Sequence, residues 1–149
     1  MVSLRKQITL DMQQAMRARD TTRLETIRLL RAGIQRREVD ERTELNDTEV
    51  LSVIQKMIKQ GHDSIAQFKE GNRSDLVNRE HATLEVLEAY LPEALGQDKI
   101  KALIKEALVE TGAKSTRDMG QVMGWLKPKL QGQANMARVS ATVREQLNR

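Results

Sequence analysis

The sequence predicts an all-α protein, with an N-terminal helical bundle of about four helices over residues 1–92 and a small three-helix domain over residues 97–149. Apolar residues recur at the i, i+3, i+4, i+7 spacing of amphipathic helices along nearly the whole chain. Only 2% of the residues are aromatic and only two are proline, so the core must be aliphatic and few positions interrupt a helix. No segment of useful length alternates polar and apolar residues as a strand does.

Local start and stop signals divide the first 92 residues into four helices. Side chains that can cap a helix precede three of the apolar stripes, and residues that tolerate a left-handed backbone follow one of them. A proline should end the fourth helix, because the residue before proline avoids helical geometry. In chain order, these signals are Asp20 or Thr21, Asn46-Asp47, Gly71-Asn72, Ser74 and Pro92.

The stretch from Pro92 to Gly96 is expected to be a linker, and three shorter helices are predicted after it. Gly112 should end the first of these helices, and Ser115 or Thr116 can cap the second. A proline inside that second helix, Pro128, is expected to break or kink it. The remaining signals are a glycine turn and a cap for the last helix, Gly132 and Asn135.

The positive charge of the chain is concentrated in its last third. The net charge is +4, but residues 97–149 hold ten Lys and Arg against five Asp and Glu. Such an asymmetry favours an anionic partner, although a solvated basic surface is the plainer interpretation. Cysteine is absent, and neither a signal peptide nor a run of about 20 apolar residues is seen. We therefore expect a cytoplasmic protein that does not contact a membrane.

The residues that standard catalytic chemistry needs are largely missing. The eight glycines form neither a GxxxxGK[ST] nor a GxGxxG phosphate loop. The two histidines, His62 and His81, are interpreted as solvated surface groups, since no serine stands in a nucleophile motif. We expect no catalytic residue, no cofactor, no metal ion and no independent activity.

Seven arginines lie between Arg17 and Arg37, opposed only by Asp20 and Glu25. Arg28 and Arg31 are three residues apart, which puts them on one helix face. Because guanidinium groups bind two phosphate oxygens at once, this pair is a candidate nucleic-acid contact. The alternative is that these arginines pair with the acids of residues 75–93 and stabilise the bundle.

A second candidate site surrounds the turn before the last helix. Lys127 and Lys129 flank Pro128, and a helix N-terminus, whose free N–H groups attract anions, follows the turn. The residues proposed to contact a phosphate backbone here are Lys127, Lys129, Gly132, Gln133, Asn135 and Arg138.

Several segments together carry a resemblance to a known family. They are Ala89-Tyr90-Leu91-Pro92, Asp118-Met119-Gly120-Gln121-Val122-Met123-Gly124, Lys127-Pro128-Lys129 and Gly132-Gln133-Ala134-Asn135. With these motifs the chain resembles the GatB/YqeY family, and more closely its stand-alone YqeY-like members, from residue 3 to about residue 148.

The resemblance implies that residues 97–149 are similar to the tail of the B subunit of the glutamine-dependent tRNA amidotransferase, which helps to hold the tRNA. It therefore implies a tRNA-binding accessory protein in translation, whose partner is an amidotransferase or an aminoacyl-tRNA synthetase. The family's activity label, a carbon–nitrogen ligase with glutamine as amido-N-donor, would describe that partner's chemistry. At residues 133–135 this chain reads Gln-Ala-Asn, close to the amidotransferase form, where stand-alone members usually read Arg-Ala-Asp.

A different class of function is a non-catalytic protein-interaction module. In that interpretation Met119, Met123 and Met136 dock a helix of a partner, and the basic charge is incidental. The structural alternative is that these methionines pack into the core, as their helical spacing also predicts. The sequence leaves the oligomeric state open.

Overall fold

The computed structural model describes residues 2–149, and these residues form seven α-helices, one short 3₁₀ helix and no strand. The prediction of an all-α fold is confirmed. The chain divides into two compact units, the first ending at Leu91 and the second comprising Pro92–Arg149.

Four helices form the first unit: α1 (Leu4–Ala18), α2 (Thr21–Glu41), α3 (Asp47–Glu70) and α4 (Ser74–Glu88). Asp20 and Asn46 cap α2 and α3, because their side-chain oxygens accept hydrogen bonds from the backbone N–H groups of Arg23 and Glu49. Asn72 follows α3 with a left-handed φ of 56°, as expected from the stop signal there.

The core of the first unit is aliphatic and lies between its four helices. A smaller cluster of Ile65, Val77 and Leu84 extends it between α3 and α4. Gly61 allows these two helices to approach closely, since a Cβ at that position would lie 2.5 Å from Leu84 Cδ2. The main cluster consists of Ile8, Ile27, Leu30, Ile34, Leu45, Val50, Val53, Ile54 and Leu87.

A carboxylate on α2 connects α1 to the loop before α3. Glu38 accepts a hydrogen bond from Arg5 Nε at 2.9 Å and another from the backbone N–H of Leu45 at 2.9 Å. These hydrogen bonds, that of Arg5 first, hold the pKa of Glu38 below its ordinary value. The short loop after α2 is thus held by a side chain of α2 itself.

The second unit consists of α5 (Gln97–Thr111), a 3₁₀ helix (Thr116–Asp118), α6 (Met119–Leu130) and α7 (Met136–Leu147). Gly112 ends α5 with a left-handed φ of 66°, and Ser115 forms a capping box with Asp118. Three helices of this length enclose one aliphatic cluster: Ile100, Ile104, Ala107, Val122, Leu126, Leu130, Val139, Val143 and Leu147.

The predicted linker is fixed to the second unit by hydrogen bonds. The N–H of Leu95 donates to the carbonyl of Gln133 at 2.9 Å, and Gln133 Nε2 donates to the carbonyl of Glu93 at 3.2 Å. Residues 93–95 therefore pack beside the turn that precedes α7.

Two local predictions are wrong. The predicted break at Pro128 is absent, and α6 continues to Leu130: a proline removes only its own hydrogen bond to the residue four positions earlier, and the N–H of Gln131 still donates to the carbonyl of Lys127 at 2.9 Å. Ser74 does not cap α4 but is its first residue; Arg73 occupies the N-cap position, without a side-chain cap hydrogen bond.

Candidate nucleic-acid interface

Lys127 and Lys129 both lie exposed in the last turn of α6. Because an α-helix turns by about 100° per residue, side chains two positions apart point about 160° away from each other. The buried stripe of Val122, Leu126 and Leu130 lies on the face between them. The two lysines therefore project to different sides of the helix, and the segment does not present them as one adjacent pair of charges.

Lys129 lies over an aromatic ring. Its Nζ is 3.8 Å from the centre of the indole ring of Trp125, one turn earlier on α6. Trp125 is half-buried and packs against the core of the second unit, so the core positions both the ring and the cation. This cation–π pair was not predicted, although the i, i+4 spacing of the two residues was a signal for it.

Lys127 ends an exposed face of α6 that is poor in side chains. Gly120 and Gly124 precede it by seven and three residues, which places all three on one face of the helix. A Cβ built on either glycine would have no described atom within 4 Å beyond its own helix backbone and chain neighbours. A ligand can thus approach the backbone of α6 closely beside Lys127.

The turn between α6 and α7 is held by hydrogen bonds within the second unit. Gly132 is buried with a left-handed φ of 87°, which explains why glycine stands there. Asn135 caps α7 by accepting from the N–H groups of Ala137 and Arg138, and the side chain of Gln133 donates to the linker. The side chains of Gln133 and Asn135, which are predicted to contact a ligand, therefore also form hydrogen bonds that hold the turn.

Arg138 is exposed in the first turn of α7. Among the described residues of the second unit, only Arg149 and Glu145 form a salt bridge, at 3.3 Å. The three basic side chains of the candidate site are therefore not neutralised by a carboxylate of the described chain. We call Lys127, Lys129 and Arg138 the cationic group.

In the first unit, Arg28 and Arg31 are both exposed on α2, and neither forms a salt bridge within the described residues. Arg31 Nη1 lies 3.0 Å from Met12 Sδ. They belong to a different unit from the cationic group and stand as a separate candidate contact.

The interpretation that the arginines of residues 17–37 pair with acids of residues 75–93 is wrong for the described chain. Arg37 instead pairs with Glu41 and Glu49, each at 3.3 Å. Arg23 lies 3.8 Å from Asp11, and the one pair that joins α2 to α4 has its arginine on α4, Arg79 with Glu25. Arg23 and Arg37 thus pair with acids of α1, α2 and α3 and not with acids of α4.

Met119, Met123 and Met136 pack against the aliphatic cluster of the second unit. The three side chains are partly buried, so packing against the core, the structural interpretation, is observed, whereas docking of a partner helix by them stays a prediction. No described group of three or more His, Asp or Glu is placed to hold a metal ion. Within residues 2–149, every helix is too short or too polar to cross a membrane.

The fold and these motifs define a small helical protein of two units with a basic second unit, and comparison with known proteins gives its family. The family model for Yqey-like proteins matches residues 5–147. The chain therefore belongs to the YqeY family.

Relatives with curated names are similar over most of the chain. The protein named altered inheritance of mitochondria protein 41, mitochondrial, from Pyrenophora tritici-repentis is 36% identical over 126 residues, which cover 83% of this chain and 69% of the relative. The protein of the same name from Lachancea thermotolerans is 30% identical over 140 residues, which cover 89% of this chain and 75% of the relative. These names place the relatives in mitochondria.

Proposed function

We propose that this protein binds tRNA or another structured RNA through the cationic group and assists amide-forming chemistry that a partner enzyme performs. The observation that carries the proposal is the uncompensated charge of the second unit. Residues 97–149 have twice as many Lys and Arg as Asp and Glu, and the described residues of that unit form a single salt bridge. Since the phosphate backbone dominates the affinity of nucleic-acid binding, free cations are the side chains such a protein needs.

α6 offers a separate contact for a phosphate group on each of two sides. Lys127 stands beside the open backbone of Gly120 and Gly124, where a phosphate group can approach without meeting side chains. On the other side, the ring of Trp125 supports the ammonium group of Lys129, which can contact a phosphate group. Arg138 adds a third charge on α7.

The partner we propose is an amidotransferase or an aminoacyl-tRNA synthetase, in line with the resemblance to the amidotransferase tail. The chain would act in the cytoplasm, where our sequence-based expectation places it, and we propose no catalytic step for its own residues. The relatives' names concern the inheritance of mitochondria, and they do not mention RNA.

The experiment is a gel shift of total tRNA with the full chain at low salt. We expect a shift for the wild type and weaker binding for Lys127→Glu, Lys129→Glu and Arg138→Glu. Lys101→Glu is the matched control, because Lys101 is an exposed lysine of the same unit that forms no salt bridge among the described residues. The absence of any shift, or equal weakening in all four variants, would reject the proposed site.

A further inference from the structure

α2 carries apolar side chains on two faces. Ile27, Leu30 and Ile34 lie in the core, as expected for a helix of the bundle. On the outside, Leu29 is 61% exposed and Val39 is 68% exposed. A helix of a bundle ordinarily exposes a polar face, so the outer face of α2 has apolar residues that the folding of this unit does not use.

The exposed leucine lies at the edge of a groove between α2 and α3. The groove has a volume of about 550 Å³, and both helices line it with residues at i, i+3, i+4 and i+7 spacing. Gly33 lies in it facing α3, since a Cβ there would be 3.4 Å from Val53 Cγ1. We call this surface the α2–α3 groove; its main residues are Leu29, Ala32, Gly33, Arg36, Lys56 and Met57.

Cations stand at the rim of this groove. Arg36 and Lys56 are exposed and form no salt bridge with any described residue. Arg37, which also lines the groove, is already paired with Glu41 and Glu49. The α2–α3 groove therefore combines an apolar floor with two uncompensated positive charges.

We propose that the α2–α3 groove docks an amphipathic helix of a partner protein that carries acidic residues beside its apolar stripe. Two parallel rows of side chains at helical spacing accept the i, i+3, i+4, i+7 side chains of a third helix. From Leu29 to Arg36 the groove is about 10 Å long, which suits about two turns of such a helix. Carboxylates flanking that stripe would meet Arg36 and Lys56.

Other occupants fit the groove less well. An RNA strand would find an aliphatic floor, because none of the three aromatic residues of the chain lines the groove and bases have no ring on which to stack. A second copy that presented the same face would place Arg36 and Lys56 against their own counterparts, which like charges disfavour. The proposal is independent of the RNA proposal, which rests on the second unit.

The test measures binding of a labelled synthetic peptide to the full chain by fluorescence anisotropy. The probe is an amphipathic peptide of about 18 residues with leucine at i, i+3, i+4 and i+7 and glutamate on the flanks, long enough to form a helix. Its control has lysine in place of each glutamate. We expect the glutamate peptide to bind and the lysine peptide to bind at least about tenfold more weakly.

Variants of the chain locate the binding. Leu29→Ser should weaken the binding of the glutamate peptide about tenfold, because it removes a leucine from the interface. Leu10→Ser, at an exposed leucine of α1, should leave that affinity unchanged. The double variant Arg36→Glu with Lys56→Glu should no longer bind the glutamate peptide and should bind the lysine peptide instead. Arg17→Glu with Lys69→Glu changes the net charge equally, outside the groove, and should do neither.

Several results would overturn the proposal. One is the absence of binding at a peptide concentration of about 1 mM, at which even a millimolar Kd would be detected. Another is equal weakening in Leu29→Ser and Leu10→Ser. A dimer in sedimentation that Leu29→Ser dissociates would assign the groove to a second copy, and a tRNA crosslink to Met57 would assign it to RNA.

Discussion

Lys129 places its ammonium group 3.8 Å from the centre of the Trp125 ring, and Trp125 in turn packs against the core of the second unit. The pair has two consequences. It stabilises the end of α6, and it holds one charge of the cationic group in a fixed position. It also provides a probe, because Trp125 is the only tryptophan of the chain.

Replacing Lys129 with glutamine should therefore destabilise the second unit slightly. We expect a decrease of about 0.5–1 kcal/mol in the free energy of unfolding, the usual range for an exposed cation–π pair, and a change in the emission of Trp125. Urea unfolding followed by tryptophan fluorescence reads this unit directly. Lys127→Gln is the control, and equal destabilisation in both variants would contradict the contribution of the ring.

A second prediction concerns Tyr90, the only tyrosine, whose Oη donates to Asp11 Oδ2 at 2.6 Å. Burial, and then the hydrogen bond and charge of Asp11, raise the pKa of Tyr90 well above its ordinary value. In an absorbance titration at alkaline pH, the phenolate should form only far above about pH 10, the ordinary midpoint for tyrosine.

The sign of the pH dependence follows from this raised pKa. The folded protein holds the phenol proton more tightly than the unfolded chain, so the contribution of Tyr90 to stability is complete below about pH 10 and decreases as the pH rises above it. Tyr90→Phe should lower the free energy of unfolding by about 1–2 kcal/mol at neutral pH, because Asp11 is left without this hydrogen bond while half-buried. A free energy of unfolding unchanged within error would contradict this.

The third prediction concerns Glu38, whose pKa is lowered by the hydrogen bonds from Arg5 and the backbone of Leu45. Its stabilising effect is present above the ordinary glutamate pKa of about 4.3 and is lost as the pH falls through the lower pKa of the folded protein. Glu38→Gln should therefore destabilise the first unit by about 1 kcal/mol at pH 7. In thermal unfolding followed by circular dichroism, the difference in melting temperature between Glu38→Gln and the wild type should disappear at acid pH. A difference that does not change with pH would contradict the role of the charge.

Glycines of the two units should respond oppositely to alanine. Gly124 lies exposed in α6 with open space at its Cβ position, so Gly124→Ala should stabilise the protein by about 0.5–1 kcal/mol through helix propensity. Gly61→Ala should destabilise it, because the added methyl group would meet Leu84. Melting temperatures test both changes, and a decrease for Gly124→Ala would show that its open face has a structural role.

The helices are predictable from the sequence wherever the signal is local. Asn46 and Asn135 cap their helices because the hydrogen bond joins residues three positions apart or fewer, so the sequence already contains both partners. A break at Pro128 is the wrong expectation, because a proline removes a single hydrogen bond of the preceding turn and the neighbouring hydrogen bonds can continue the helix. Ser74 differs from its predicted cap position by one residue, since Arg73 holds that position.

The candidate site was less predictable, because it depends on directions and on distant partners. Lys127 and Lys129 are close in sequence, yet the helix turns them apart. The side chain of Gln133, a predicted ligand contact, also donates to the backbone carbonyl of Glu93, forty residues earlier. Nothing local in the sequence predicts a hydrogen bond between residues so far apart. The binding of RNA by Lys127, Lys129 and Arg138 stays a prediction.

The most direct test of the central claim is the salt dependence of tRNA affinity for the wild type and two triple variants of equal charge. Neutralising the cationic group with Lys127→Gln, Lys129→Gln and Arg138→Gln should reduce the slope of log K against log salt by about 0.7–0.9 for each phosphate group that is no longer neutralised, about 2–3 in all. The control triple should leave the slope nearly unchanged: Lys101→Gln, Lys105→Gln and Arg144→Gln. Equal slopes for both triples, or no affinity for tRNA at low salt, would contradict the claim.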